Sequence, residues 1–272
     1  MNNKGFSALV LAGDRGKNDP LVVAADVPGK ALAPVCGQAV VLRVLAALRA
    51  EPRIGRIVLV GPHRAAVDSS PELTALINTG QVQWLPPESG PSASAATGLK
   101  HLLADGQPVL VTTADHALLD QSMVGELLDR AAASDADALV MLARKAEVIQ
   151  AFPGAQRTGL RFRDDVYCGC NLFAMLTPQA RAVVEFWQQV EHLRKQPVKL
   201  ISAIGGWTAL RFRLGWLSLD QGLAHLQHKT GVRVRAVIAS NPLAAVDVDS
   251  VNDWHQVNHW LEQRMGRANS DE

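Results

Sequence analysis

The sequence predicts an α/β fold of three α/β/α layers built on a mostly parallel sheet, with an elaborated helical C-terminal part. Three observations carry this. Short apolar runs alternate with stretches of helical periodicity through residues 1–145, the pattern of βαβ units whose strands pair in parallel. Several runs stop at turn-forming or acidic residues, Gly13, Pro86 and Asp115, so their carboxyl ends could line one crevice, where such sheets hold ligands. The 272 residues, 48% apolar and 19% charged, are enough to bury a sizeable core.

Ser7–Ala12 is an apolar run that stops at Gly13, a buried strand entering a turn. A long apolar loop containing Pro20–Ala25 follows. Val40–Arg49 carries apolar residues at helical spacing, and Arg56–Val60 is a second strand ending at Gly61-Pro62. A helix is expected near Glu72–Ile77, a third strand over Val82–Leu85, and a helix over Ser92–Leu103 opened by Ser92 or Ser94. Val109–Thr113 is the fourth strand, Gln121–Ser134 a helix capped by Asp120, and Ala138–Ala143 the fifth strand.

The second half is less regular. Arg157–Phe162 and Tyr167–Ala174 read as strands joined by the polar turn Arg163-Asp-Asp165. Pro178 to about His228 is helical, broken at Pro197 and at Gly205-Gly206. Val232–Ala239 returns as a strand, and Val251–Met265 is a final amphipathic helix capped by Ser250. With no linker-like stretch and no repeat, residues 1–266 are expected to form one unit and 267–272 a frayed tail.

A net charge of +1 does not suggest a nucleic-acid binder. Three cysteines, Cys36, Cys168 and Cys170, are too few for a disulfide framework. Cys168 and Cys170 are expected to be small buried thiols. The N-terminus leads straight into the first strand without a signal-peptide pattern, and no apolar run is long enough to span a bilayer. A cytoplasmic setting is the expectation.

The residues suited to chemistry fall at strand ends. Gly13 lets backbone approach a ligand closely. Arg15 and Lys30 suit an anion with several oxygens, with Lys17 as a rival to Lys30. Asp115 ends the fourth strand, at the mouth of the sheet, where a carboxylate is a good Mg²⁺ ligand; Asp120 is better placed to cap the next helix. In Asp247-Val-Asp249-Ser-Val-Asn-Asp253, alternation turns Asp247 and Asp249 to one face. Asp253 belongs to the first turn of the last helix, leaving Asp249, and secondarily Asp247, for a metal.

Leu11-Ala12-Gly13-Asp14-Arg15, Gly29-Lys30-Ala31-Leu32 with Pro34-Val-Cys-Gly37, Thr-Thr-Ala-Asp115 and Asp247-Val-Asp249 occur in the order seen in MobA-like nucleotidyltransferases. The chain resembles these Rossmann-like, GT-A-type NTP transferases from about residue 7 to 254. The resemblance implies a nucleotide-binding half over 1–145 and an acceptor-side half over 146–266. It implies a nucleotide site of Leu11, Ala12, Gly13, Arg15 and Lys30, with Pro87, Gly90 and Ser92 enclosing the base. Asp115 and Asp249 would hold Mg²⁺; Arg15, Lys30 and Asp115 would be catalytic; Asn171 would meet the acceptor. Two departures stand out: Gly13 is followed by Asp14 rather than glycine, and the loop between Arg15 and Lys30 is long.

The implied reaction transfers an NMP group from an NTP, CTP or GTP foremost, to a phosphorylated or hydroxylated acceptor with release of pyrophosphate. A phosphate acceptor needs no general base; for a hydroxyl, His116 is the nearest candidate, although a structural hydrogen-bonding role is the commoner one for such a residue. The alternatives are a GT-A-type glycosyltransferase using a nucleotide sugar and a non-catalytic nucleotide-binding or membrane-docking module. The glycosyltransferase's usual Asp-x-Asp is absent, since Asp115 is followed by His116-Ala117.

Residues 187–235 hold eight Lys/Arg against two acids, a net of +6 that leaves the rest of the chain at −5. Trp187, Trp207 and Trp216 lie in the same segment. Such basic, tryptophan-containing helices, here about 187–230, can lie on anionic lipid, which would suit a lipid-like acceptor. The commoner explanation is a packed helical subdomain or a homodimer contact with snorkelling arginines.

Overall fold

The computed structural model describes residues 5–13, 16, 18–103, 106–154, 156–193 and 205–268. Its centre is an eight-stranded sheet. The strands are β1 (Phe6–Leu11), β4 (Ile54–Val60), β5 (Gln83–Leu85), β6 (Val109–Thr113), β7 (Ala138–Arg144), β8 (Leu160–Arg161), β9 (Val166–Met175) and β10 (Val234–Ile238). The order is β10-β7-β9-β6-β1-β4-β5, with β8 paired to β9 outside that path. Pairing is parallel except at β9, which runs antiparallel to β6, β7 and β8. The predicted mostly parallel sheet, with helices on both faces, is what forms.

The period-two alternation of β1 explains the layering. Ala8 and Val10 belong to the core cluster containing Val41, Leu45 and Leu48 of α2 (Val40–Ala50) and Met123, Val124 and Leu127 of α6 (Gln121–Ala132). Leu9 and Leu11 face the other way, into a cluster with Leu99 and Leu102 of α5 (Pro91–Leu103) and Val184 of α8 (Arg181–Leu193). Contact there is close: a Cβ on Gly98 would lie 2.3 Å from Leu9 Cδ1. Asp120 caps α6, accepting from Met123 N at 2.9 Å, as expected.

The apolar loop before Lys30 is partly a helix, which corrects the sequence reading. Asp19 accepts from Leu21 N at 2.9 Å and opens α1 (Pro20–Ala25), with proline at the first helical position. Leu21 and Val22 are buried, so the helix is held by packing that a six-residue window cannot signal. Among the further elements not expected from the sequence, three stand out. One is a small hairpin of β2 (Pro34–Val35) and β3 (Gln38–Ala39), turning at Cys36-Gly37 with φ of 48° and 79°. The others are the short helices α3 (Arg64–Asp68) and α7 (Lys145–Ala151).

The predicted Arg163-Asp-Asp165 turn joins β8 to β9, pairing Arg161 with Val166. The predicted helical C-terminal region contains α8 and the helices Gly206–Arg213 and Leu219–Thr230. Pro197, one of its expected breaks, is outside the described residues. Ser250 and Asp253 cap the final helix, Val251–Ala268, reciprocally: Ser250 Oγ accepts from Asp253 N at 3.2 Å, and Asp253 Oδ2 from Ser250 N at 2.9 Å. Cys168 and Cys170 are buried free thiols. No described helix is long and apolar enough to cross a membrane.

Candidate active site

The sheet delivers a carboxylate to its carboxyl edge. β6 ends at Thr113, and Asp115 follows two residues later. The Asp115 carbonyl accepts from Val248 N at 2.9 Å, drawing the Asp247–Asp249 segment alongside. Lys30 opens a short 3₁₀ turn, Lys30–Leu32. Its ammonium donates to Asp115 Oδ2 at 2.9 Å and also to Asp249 Oδ1. Three residues predicted from separate motifs therefore meet at one point.

Burial works against the Lys30 charge, but the Asp115 and Asp249 carboxylates more than offset it and hold the ammonium well above the usual lysine range. Lys30 is thus a fixed cation between two carboxylates, where the resemblance implied one facing phosphate. Asp249 is half-exposed, whereas the Lys30 side chain is only 12% exposed.

Asp247 faces a different set of partners. It is paired with Arg157 through Oδ1 and through its own backbone carbonyl, and its Oδ2 accepts from Asn171 Nδ2 at 2.8 Å. Burial, followed by the nearby Asp115 charge, pushes the Asp247 carboxyl up to about 6. Asn171 sits at a bulge in β9, where the register opposite Val140 and Leu142 shifts, and has φ of 48°. The bulge aims its side chain at Asp247. Arg157, 10% exposed, was seen in the sequence only as a strand residue; nothing local marks it, because its partner lies 90 residues away.

His116 is 1% exposed, and burial pulls its imidazole down to about 4. It is a buried core residue, in keeping with the structural role expected of it rather than that of a base for a hydroxyl acceptor, although neither ring nitrogen has a hydrogen-bond partner among the described residues. Asp253 is committed to its capping box.

Gly13 is exposed, and a Cβ there would meet nothing within 4 Å among the described residues. Leu11 and Ala12 before it are buried. The turn is held from below by Gly61, at φ +82°, whose added Cβ would lie 2.5 Å from the Ala12 carbonyl oxygen. Arg15 and its neighbour Lys17 are outside the described residues. Pro87 is half-buried and Ser92 buried, and Ser92 N donates to Glu191 Oε2 of α8 at 3.3 Å. A Cβ on Gly90 would lie 3.6 Å from the same carboxylate. The segment expected to enclose a base thus carries an acid from α8 that the sequence reading missed.

The donor set suits a hard cation. Asp115 Oδ1 is buried and has no hydrogen-bond partner among the described residues, while Oδ2 is taken by Lys30. Two carboxylates with one unsatisfied oxygen match Mg²⁺, which takes few protein ligands and keeps water and phosphate oxygens. Among the described residues no group of three His, Cys, Asp or Glu forms a closed metal cage.

In the basic segment, Arg194, Lys195 and Lys199 are outside the described residues. Arg233 pairs with Asp135 and Asp137, and Arg235 with Asp135. Trp207 and Trp216 are 66% and 55% exposed.

A family model described as the MobA-like NTP transferase domain matches residues 8–233. A solved structure described as a hypothetical transferase from Thermus thermophilus is 29% identical, covers 92% of this chain and 99% of its own, and superposes with a TM-score of 0.75. The 4-diphosphocytidyl-2C-methyl-D-erythritol synthase of Anaerococcus prevotii shares the fold at 13% identity, with a TM-score of 0.59 and coverage of 96% of this chain and 98% of its own. A CMP:2-keto-3-deoxy-manno-octonic acid synthetase solved with CTP does so at 12% identity and a TM-score of 0.54, with the same coverage. No curated protein matches the chain.

Proposed function

The chain belongs to the MobA-like NTP transferase family, a family of nucleotidyltransferases, and on that premise we propose that it transfers an NMP group from an NTP to a phosphorylated or hydroxylated acceptor and releases pyrophosphate. CTP and GTP are the donors to test first. The observation that carries this reading is the meeting of Lys30, Asp115 and Asp249 beside the open turn at Gly13.

In this reading Gly13 admits the nucleotide against bare backbone, and Pro87, Gly90 and Ser92 border the base, with Glu191 as a hydrogen-bond acceptor for a donor group on its edge. Asp115 and Asp249 would hold Mg²⁺, which when bound would neutralise phosphate charge. Lys30 keeps those carboxylates together and adds fixed positive charge where negative charge grows on the leaving group. Arg157 and Asn171 hold Asp247, and so the segment carrying Asp249, in register with Asp115. No side chain need remove a proton from a phosphate acceptor, in keeping with the buried, neutral His116.

The test is pyrophosphate detection with a panel of NTPs, Mg²⁺, and sugar phosphates, alcohol phosphates and molybdopterin-like acceptors. Acceptor-dependent pyrophosphate is the expected result. Release of a nucleoside diphosphate from a nucleotide sugar would assign a glycosyltransferase instead, and NTP binding without turnover a docking module.

A further inference from the structure

Beside the site lies a cavity of about 410 Å³ between α5, α8 and strands β6 and β9, within the range of about 300–1,000 Å³ usual for small-molecule sites. Its walls are apolar, including Leu11, Ala95, Val111, Phe173, Val184 and Trp187. Among the described residues its polar lining side chains are Thr112, Thr113 and Asn171. Two of these tie it to the carboxylate cluster: Thr113 lies two residues before Asp115, and Asn171 donates to Asp247. The hydroxyls of Thr112 and Thr113 are buried without hydrogen-bond partners among the described residues.

A nucleobase presents several donors and acceptors, and burying them unmatched against such walls would cost about 1–3 kcal/mol for each group. A hydrocarbon brings no polar group of its own to be matched and would displace water from the apolar walls, leaving the Thr112 and Thr113 hydroxyls, at the end of β6 nearest Asp115, for its polar head. A chain seated between α5 and α8 could bring its polar head out past Thr113 and Asn171, toward Asp115 and Asp249. We propose that this cavity binds the hydrocarbon part of the acceptor, so that the acceptor is an amphiphile: an apolar chain or ring system bearing a phosphate or hydroxyl head. This rests on the nucleotidyl-transfer reading and adds the acceptor's class to it.

The experiment measures binding without NTP, so its failure is distinct from failure of the transferase reading, which pyrophosphate release decides. The probes are n-alkyl phosphates and n-alkanols of two to ten carbons, titrated calorimetrically into the full chain. Dissociation constants should fall roughly fourfold per added methylene until the cavity fills. The phosphate and alkanol arms show which head is preferred. Ala95→Phe, and Val183→Trp on the half-buried rim, should flatten the gradient. If either variant fails to fold, the other and the wild-type series decide. A flat series in the wild type, a gradient that survives in a folded filled variant, or displacement of 1-decanol by cytidine or guanosine would overturn the proposal.

Discussion

The Lys30 ammonium lies 2.9 Å from Asp115 Oδ2 and links that strand-end carboxylate to Asp249, 219 residues from the lysine in sequence. Without the cation, the two acids would face each other in a partly buried crevice, where like charges repel with little screening. Lys30 therefore shapes the site as well as charging it.

Lys30→Met should lower the rate of pyrophosphate release by about 10²–10³-fold, the usual cost of removing one preorganised charge-stabilising group. Lys30→Arg should not restore it, because a planar guanidinium cannot occupy an ammonium's place between the two carboxylates. Steady-state kinetics with saturating NTP check this. Normal rates in Lys30→Met would move the role to Lys17.

Asp115 and Asp249 should differ in a graded way. Asp115→Asn removes the negative charge and replaces one carboxylate oxygen with an NH₂ donor, in a group whose Oδ1 is unsatisfied among the described residues, and should abolish both turnover and the rise in Tm that Mg²⁺ with NTP produces. Asp249 is half-exposed, so Asp249→Asn should raise the Mg²⁺ needed for half-maximal activity while leaving measurable turnover. Thermal shift and Mg²⁺ titration together test this; equal loss in both variants would contradict the asymmetry.

Activity should fall as pH is lowered through about 6. There Asp247 takes up a proton and loosens its hold on Arg157 and Asn171. His116, pulled down to about 4, contributes no limb in that range. Asp247→Asn should flatten the acid limb of kcat/KM. A limb that persists in the variant belongs to the substrate's phosphates, whose second ionisation also lies near pH 6.

The parts of the molecule written locally were legible in its sequence. The strands show as apolar runs, Asp120 and Ser250 as caps, and Asp115 as an acid where a strand ends. Lys30, Asp115 and Asp249 were each expected at the site from short motifs. That the two acids share one site beside the lysine was implied by the resemblance; the direct bridge from the Lys30 ammonium to both carboxylates was not, because it depends on the parallel order of β1 and β6 and on the Val248 link to the Asp115 carbonyl. Arg157 and Glu191 were missed for the same reason: each is an ordinary charged residue until tertiary contact supplies its partner. Helix α1 was missed because its packing, rather than its six-residue pattern, makes it a helix.

Arg157→Met supplies the sharpest test of the buried support behind the site. Breaking a buried pair by removing one partner typically costs about 3–5 kcal/mol, since the other charge is left uncompensated. Asp247 can escape part of that cost by binding a proton. Its carboxyl is already raised from the ordinary 3.8 to about 6, and loss of the guanidinium, which favours the ionised form, will raise it further. A carboxyl with a raised folded-state pKa binds its proton earlier in the folded protein than in the unfolded chain. Its contribution to stability is therefore full below the unfolded value, near 4, and is lost as pH rises through the folded one. The Tm deficit of Arg157→Met should accordingly be small near pH 5 and large near pH 8, and the double variant Arg157→Met/Asp247→Asn should erase that pH dependence. Thermal denaturation of the three proteins across this range is the measurement. A deficit independent of pH would mean that Arg157 stabilises through packing of its side-chain stem rather than through the charge on Asp247.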